Sequence, residues 1–240
     1  MIQWRNRMLT LAIPSNGALH EPSLQFLESC GIGVTREGAR KYTGEIPAIP
    51  NLTVHFQRAS DITGTVEVGR ADLGIVGLDR FVESQVDDGN TGILLDGLGF
   101  GHSELVFGIP DSWLDVTSLA DLLDLSLEFR KRGSDIKIAT KYPRSVERFL
   151  LHNGINYFYL TYSSGTLEAA PAMGHADIIA DITSTGNTMR ENSLKTILGG
   201  LIMKSEACLI GNTDLIEQNP FKIEQAADFV GRIEAHLEGK

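Results

Sequence analysis

The sequence predicts an α/β protein built as two lobes of mainly parallel sheet flanked by helices, and three observations carry that prediction. Short apolar runs alternate with helix-period stretches along the whole chain, the pattern of parallel strands joined by crossover helices. The chain has 240 residues, enough for one large domain or two small ones with a core each. The stretch "PDSWLDV" reads as a crossover between lobes, with the chain returning to the first lobe near its end. The expected boundaries are 1–107 plus 190–240 for lobe I and 108–189 for lobe II. Ligands of such folds sit at the carboxyl ends of strands, so a cleft between the lobes is the expected site.

In chain order, "LTLAIP" (Leu9 to Pro14) reads as a buried strand, followed by a helix from about Pro22 to Ser29 that stops at Gly31. "LTVHFQ" is a second strand, and Asp61 is placed to cap the helix "ITGTVEVG". "ADLGIVG" is a strand and "LDRFVESQV" a helix. "SELVFGIP" is a longer strand, and Thr117 is placed to cap "SLADLLDLSLEFRKR". "IKIAT" is a strand. "PRSVERFLLHNG" has Pro143 in its first turn and Gly154 past its end, as a helix should. "NYFYLTY" is a strand, "GTLEAAPAMG" a short helix, "DIIADI" a strand, and Asn219 to Leu237 an amphipathic helix.

Composition narrows the function. A net charge of −10 argues against nucleic-acid or anionic-membrane partners, yet leaves room for an anionic small ligand held by local amides. Cys30 and Cys208 lie among apolar neighbours and read as buried free thiols, with no CxxC pattern. The six histidines are scattered without metal-ligand spacing, so the metal ligands are unknown. The first residues lack a long apolar run and a small-residue cleavage site, so a cytoplasmic location is expected, and "NLT" at Asn51 is a chance sequon.

The chemistry concentrates in "ADIIADITSTGNTMRENSL", Ala176 to Leu194. A buried strand ends near Asp181 and Thr183. Ser184, Thr185, Gly186, Asn187 and Thr188 then offer successive amides and hydroxyls, with a helix expected to begin near Asn187. Gly186 lets the backbone turn and approach a ligand closely. Such a cup suits a phosphate monoester, and Asp181 beside it suits the vicinal hydroxyls of a sugar. The plain alternative is a strand–turn–helix junction capped by Ser, Thr and Asn.

The cup resembles the phosphoribosyl diphosphate loop of phosphoribosyltransferases. With "RASDI", "VEVGRADLGIVGLDRF", "LLDGLGFG", "IATKYP", "GTLEAAPAMGHADIIADITSTGNTMRENSLK" and "SEACLI" in order, the chain from Leu9 to Ile210 resembles the ATP phosphoribosyltransferases, first enzymes of histidine biosynthesis. The resemblance implies two lobes like a type II periplasmic binding protein. It implies transfer of the phosphoribosyl group of phosphoribosyl diphosphate to N1 of ATP, releasing pyrophosphate, with Mg2+ carried by the diphosphate. Asp181, Thr183, Ser184, Thr185, Gly186, Asn187 and Thr188 would hold the ribose 5-phosphate, with Glu168 near the ribose hydroxyls. Arg58 would face the leaving pyrophosphate, where its fork matches phosphate oxygens. Arg58, Glu168 and Asp181 are thus the implied catalytic residues, while Gly17, Asp79 and Arg80 would lie on the ATP side. Lys141 and Tyr142 either line the cleft or shape a turn. N1 of adenine is already a neutral nucleophile, so positioning and charge stabilisation suffice without a general base.

Two departures stand out. Where the family carries a "KGRL"-like turn, this chain has "SNGAL": Gly17 and Leu19 remain, while Ser15 and Ala18 replace two cations. A charged contact is worth roughly 1.5–3 kcal/mol, so two losses would slow turnover by orders of magnitude unless replaced. Arg36, Arg40 and Lys41 are candidate replacements, and the alternatives are a differently bound nucleotide or a weakened, non-catalytic paralogue. The chain also stops one helix past "SEACLIGN", as in short-form subunits. The resemblance then implies a homodimer, or a hetero-oligomer with a regulatory subunit like histidyl-tRNA synthetase. The remaining alternative is a bilobal small-anion binding protein.

Overall fold

A computed structural model describes residues 8–38, 41–162 and 167–239. The first seven residues, Arg40, and Gly165 and Thr166 at the head of "GTLEAAP" lie outside the described residues. In order, the elements are β1 (Leu9–Pro14), α1 (His20–Ser29), β2 (Thr43–Glu45), β3 (Leu52–Gln57), α2 (Ala59–Glu67), β4 (Leu73–Gly77), α3 (Leu78–Ser84), β5 (Thr91–Leu95) and β6 (Ser103–Pro110). Next come α4 (Leu119–Lys131), β7 (Ile136–Thr140), α5 (Pro143–His152), β8 (Phe158–Tyr162), a 3-10 turn (Leu167–Ala169), β9 (Ile178–Thr183) and α6 (Asn187–Glu191). The chain closes with β10 (Leu194–Lys195), β11 (Leu201–Ser205), β12 (Ala207–Asn212), α7 (Thr213–Glu217) and α8 (Pro220–Glu238).

The chain forms two compact units, Met1–Gly101 with Glu206–Lys240, and His102–Ser205. In the first, the strand order is β2-β3-β1-β4-β12-β5, with β1 parallel to β3 and β4, and with β2, β12 and β5 antiparallel to their neighbours. Leu9, Leu11 and Ile13 face one side and join Val54 and Phe56 against Phe26 and Leu27 of α1 and Phe229 and Ile233 of α8. Ala12, Val76 and Ile210 face the other side and pack on Ile62 and Val66 of α2. This alternation is the period-two geometry of a strand buried on both faces. α8 is capped by the Asn219 side chain, starts on Pro220, and buries Ala226, Phe229 and Ile233 at helical spacing.

In the second unit the order is β10-β6-β9-β7-β8, with β11 also on β6. β7 is parallel to β8 and β9, and β6 is antiparallel to β9, β10 and β11. Each sheet therefore has three parallel strands extended by antiparallel ones, so the sheets are mixed rather than mainly parallel. Chain returns such as β12 and β11 cause this, entering their sheets without a crossover helix. All of β6 pairs in the second sheet, as do β10 and β11, so the units divide at Gly101 and Ser205 instead of at 107 and 189. "PDSWLDV" accordingly lies inside the second unit, where Asp111 N–H donates to the Ser193 carbonyl at 2.9 Å.

Three expected starts move by a residue or more. α2 begins at Ala59 with Arg58 at its N-cap, leaving Asp61 as the acid of its first turn, where the dipole favours it. "GTLEAAPAMG" yields only the 3-10 turn, since Pro171 withholds a donor and Gly174 turns left-handed at φ 70°. α4 is capped by Ser118 instead of Thr117, in a reciprocal capping box with Asp121. Asp121 accepts from the amides of Thr117 (2.9 Å) and Ser118 (2.8 Å) and from both their hydroxyls. These bonds hold its carboxyl down, from the ordinary 3.8 to about 2. A lowered carboxylate stabilises fully above its unfolded value, and the contribution is lost as pH falls through the folded one. We expect the melting temperature of the parent to fall more steeply than that of Asp121→Asn between pH 3.8 and about 2. Equal slopes would mean that the box does not hold in solution.

Candidate active site

In the second unit, β7 and β9 run side by side with Ile138 opposite Ile178 and Thr140 opposite Ala180. One step further the register sets Lys141 beside Asp181. Asp181 is buried, its Oδ2 is 3.9 Å from Lys141 Nζ, and its Oδ1 accepts the Ile182 N–H at 2.8 Å. Asp181 and Thr183 share strand parity with Ile179, whose face is covered by Leu167, Ala170 and Met189. Leu167 pins the 3-10 turn that carries the half-buried Glu168, and Met189 pins α6. Packing on one face of β9 thus gathers Asp181, Thr183, Glu168 and the loop.

The loop turns at Gly186, φ 71°, where only the conformation requires glycine, because a Cβ would meet nothing within 4 Å. Ser184, Thr185, Asn187 and Thr188 stand exposed. Two of the expected free amides are taken inside the loop: Gly186 N–H donates to Thr183 Oγ1 at 2.8 Å and Asn187 N–H to Thr185 Oγ1 at 3.4 Å. A hydroxyl that accepts still has its own proton to donate, so the cup presents O–H donors in their place. α6 has five residues, too few for its dipole to carry the site, so the donors do. Tyr142 is buried in the unit's core with its N–H on Thr140 Oγ1 at 2.9 Å, and it serves as structure while Lys141 reaches Asp181.

In the first unit, the carboxyl ends of β3, β1 and β4 bring the other predicted residues together. Ser15 N–H donates to the Gln57 carbonyl at 2.6 Å, tying the "SNGAL" turn to the residue before Arg58. Gly17 takes φ 79°, and its carbonyl accepts from His20 N–H at 3.2 Å. Leu19 anchors the turn over Gly101, where a Cβ would stand 2.3 Å from its Cδ2. Arg58 is exposed and its guanidinium is unengaged among the described residues. Asp79 folds inward over Gly77, 8% exposed, with Oδ2 3.9 Å from Arg80 Nε, so Arg80 is the more accessible of the two. Burial, together with the charges of Asp79, Asp96 and Glu206, pushes the Cys208 thiol up to about 12, which makes it inert as a nucleophile.

Of the replacement cations, Arg36 stacks over Phe56, 4.2 Å from the ring centroid, and Phe56 stands edge-on to His20 at 6.0 Å. His20 Nδ1 lies 2.7 Å from the Pro14 carbonyl, just before the turn. Lys41 Nζ is paired with Glu37. Sequence reasoning missed Arg190, whose guanidinium donates to the Thr185 carbonyl at 3.3 Å and to Asn187 Oδ1. Its spacing of three from Asn187 on a short helix was the available signal.

The model of the family described as HisG: ATP phosphoribosyltransferase matches residues 58–235. The ATP phosphoribosyltransferase of Mesorhizobium japonicum is 41% identical over 208 residues, covering 85% of this chain and 90% of the relative. That of Agrobacterium fabrum is 40% identical over 206 residues, covering 85% and 90%. Among solved structures, the ATP phosphoribosyl transferase (HisG:HisZ) complex from Thermotoga maritima aligns with TM-score 0.72 at 24% identity, over 97% of this chain and 100% of that one. The alkanesulfonate-binding protein SsuA from Xanthomonas axonopodis pv. citri, bound to MOPS, aligns with TM-score 0.54 at 14% identity, over 97% and 74%. At these identities the two structures speak for the fold alone.

Proposed function

The chain belongs to the ATP phosphoribosyltransferase family, the enzymes of the first step of histidine biosynthesis, and on that premise we propose how its residues divide the reaction. The loop from Asp181 to Thr188 holds the ribose 5-phosphate, and Asp181 and Glu168 receive the ribose hydroxyls. Arg58 takes the departing diphosphate. As C1 becomes oxocarbenium-like, charge grows on that leaving group, so a fixed cation stabilises the transition state more than the ground state. Adenine N1 supplies the electron pair for the new bond to C1, and the pair of the broken C1–O bond leaves with pyrophosphate. Gly17 and Arg80 serve ATP, with Asp79 holding Arg80. Lys141 neutralises Asp181 until the sugar arrives, and Arg36 is the cation best placed to stand in for those replaced by Ser15 and Ala18.

Magnesium enters this reading with the diphosphate. Among the described residues no group of three His, Cys, Asp or Glu side chains gathers to hold an ion, so phosphate oxygens and water would supply most of its ligands. We also propose a cytoplasmic short-form subunit that works with a regulatory partner resembling histidyl-tRNA synthetase. That assembly follows from the family reading, one solved example being the HisG:HisZ complex from Thermotoga maritima. No helix among the described residues is long and apolar enough to cross a membrane.

The observation that carries the proposal is the buried Asp181 at a strand end, followed by a hydroxyl-lined left-handed turn at Gly186. Mixing the protein with ATP, phosphoribosyl diphosphate and Mg2+ should raise the absorbance of N1-substituted adenine. Phosphoribosyl diphosphate binding without turnover, with or without a partner, would favour the weakened paralogue. Ser15→Lys with Ala18→Arg should then create activity.

A further inference from the structure

We propose that Arg190 is the positioning residue of the phosphate loop, clamping the Thr185–Gly186 peptide with its N–H on Thr183 so that the Thr183 hydroxyl keeps its proton for the anion. The inference rests on the phosphoribosyl diphosphate reading above. The Thr185 carbonyl and the Gly186 N–H are opposite ends of one rigid planar unit. Each end has its own side-chain partner: Arg190 Nη2 donates to the carbonyl at 3.3 Å, and the N–H donates to Thr183 Oγ1 at 2.8 Å. A turn with glycine in the left-handed region can flip this plane at little steric cost. The flipped plane would turn the carbonyl oxygen onto Thr183 Oγ1, which would then spend its proton on that oxygen and lose it as a donor to the phosphate.

Arg190 is suited to prevent the flip. Its terminal Nη2 donates to two acceptors, the Thr185 carbonyl and Asn187 Oδ1, while its own N–H donates to the Gly186 carbonyl at 3.1 Å. One residue therefore fixes three consecutive loop residues. The helix that carries it has five residues and is anchored by Met189, too short to impose the loop geometry by itself. The cation also holds the negative end of the peptide dipole on the side away from Thr183 Oγ1. Arg190 acts through the loop, leaving the donors that meet the phosphate to Thr183, Ser184, Thr185 and Thr188.

The test compares Arg190→Gln and Arg190→Lys in steady-state kinetics, with KM measured separately for phosphoribosyl diphosphate and ATP. Both variants should raise the phosphoribosyl diphosphate KM about tenfold, the scale of one charge-assisted hydrogen bond, and leave the ATP KM unchanged. Lysine should fail as glutamine does, because it keeps the charge but its chain ends one bond short of the Nη2 position that reaches both acceptors. In the double variant Thr183→Val with Arg190→Gln, the effects should fall short of the product of the single ones, since both residues hold the same peptide. An unchanged phosphoribosyl diphosphate KM, full rescue by lysine, or multiplicative effects would each overturn the clamp. A parent protein that binds no phosphoribosyl diphosphate would instead sink the underlying reading before any variant is made, and a parent that binds it without turnover is compared with the variants by Kd, with the same expected tenfold change. Should Arg190→Gln fail to fold, Arg190→Lys carries the same comparison.

Discussion

Arg58→Ala is expected to lower kcat by about two to three orders of magnitude while leaving the melting temperature nearly unchanged. The residue sits at the N-cap of α2, exposed, with no side-chain bond among the described residues, so its removal breaks no packing. Its backbone is already extended at φ −66° and ψ 136°, a conformation alanine adopts freely. The whole cost therefore falls on the charge that develops on the departing diphosphate. Arg58→Lys should recover part of the rate, because a point charge remains but the bidentate fork is gone. Rates within about threefold of the parent for Arg58→Ala would remove the residue from the reaction.

Lys222→Met is expected to destabilise the first unit by about 3 kcal/mol, read as a shift of the urea midpoint at unchanged slope. Asp72 is 2% exposed, and its Oδ1 is bonded to Lys222 Nζ at 2.6 Å. Its Oδ2 accepts the N–H and hydroxyl of Thr10 at 2.9 and 2.8 Å. The network ties the start of α8 to β1 and to the residue before β4. Removing the ammonium strands a buried carboxylate, which costs more than the pair itself contributes. Adding Asp72→Asn to Lys222→Met should therefore restore much of the loss. A midpoint shift equivalent to less than about 1 kcal/mol would mean that water reaches the carboxylate freely.

The elements that the sequence made legible were those whose own residues close a local argument. Leu9–Pro14, Leu52–Gln57, Ser103–Pro110 and Ile136–Thr140 are apolar runs of strand length and appear with the expected bounds. Pro143 at a helix start and Gly154 beyond its end carry their own backbone preferences. β2, β5, β10, β11 and β12 were not legible as strands. "LIMKS" and "ACLIGN" are short and lack period-two alternation, and they become strands only because β6 and β4 offer open edges to pair with. Caps were misplaced by a residue or more for a related reason. Thr117 and Ser118 are equally good cap residues, and the backbone geometry at Ser118 selects between them.

The site divides in the same way. Ser, Thr, Gly and Asn after a buried strand gave the loop, because donor chemistry and the freedom of Gly186 are properties of residue types. The ordered motifs gave the family for the same reason. Tertiary structure alone decided which side chains meet: Lys141 comes beside Asp181 through the register of β7 and β9, and Glu168 joins their face because Leu167 and Met189 pack on Ile179. It also decided that Asp79 turns inward, that Arg36 stacks on Phe56, and that Arg190 and Thr183 hold opposite ends of one peptide. A residue's chemistry travels with the chain, whereas its partners are set by contacts between segments distant in sequence, which no local pattern encodes.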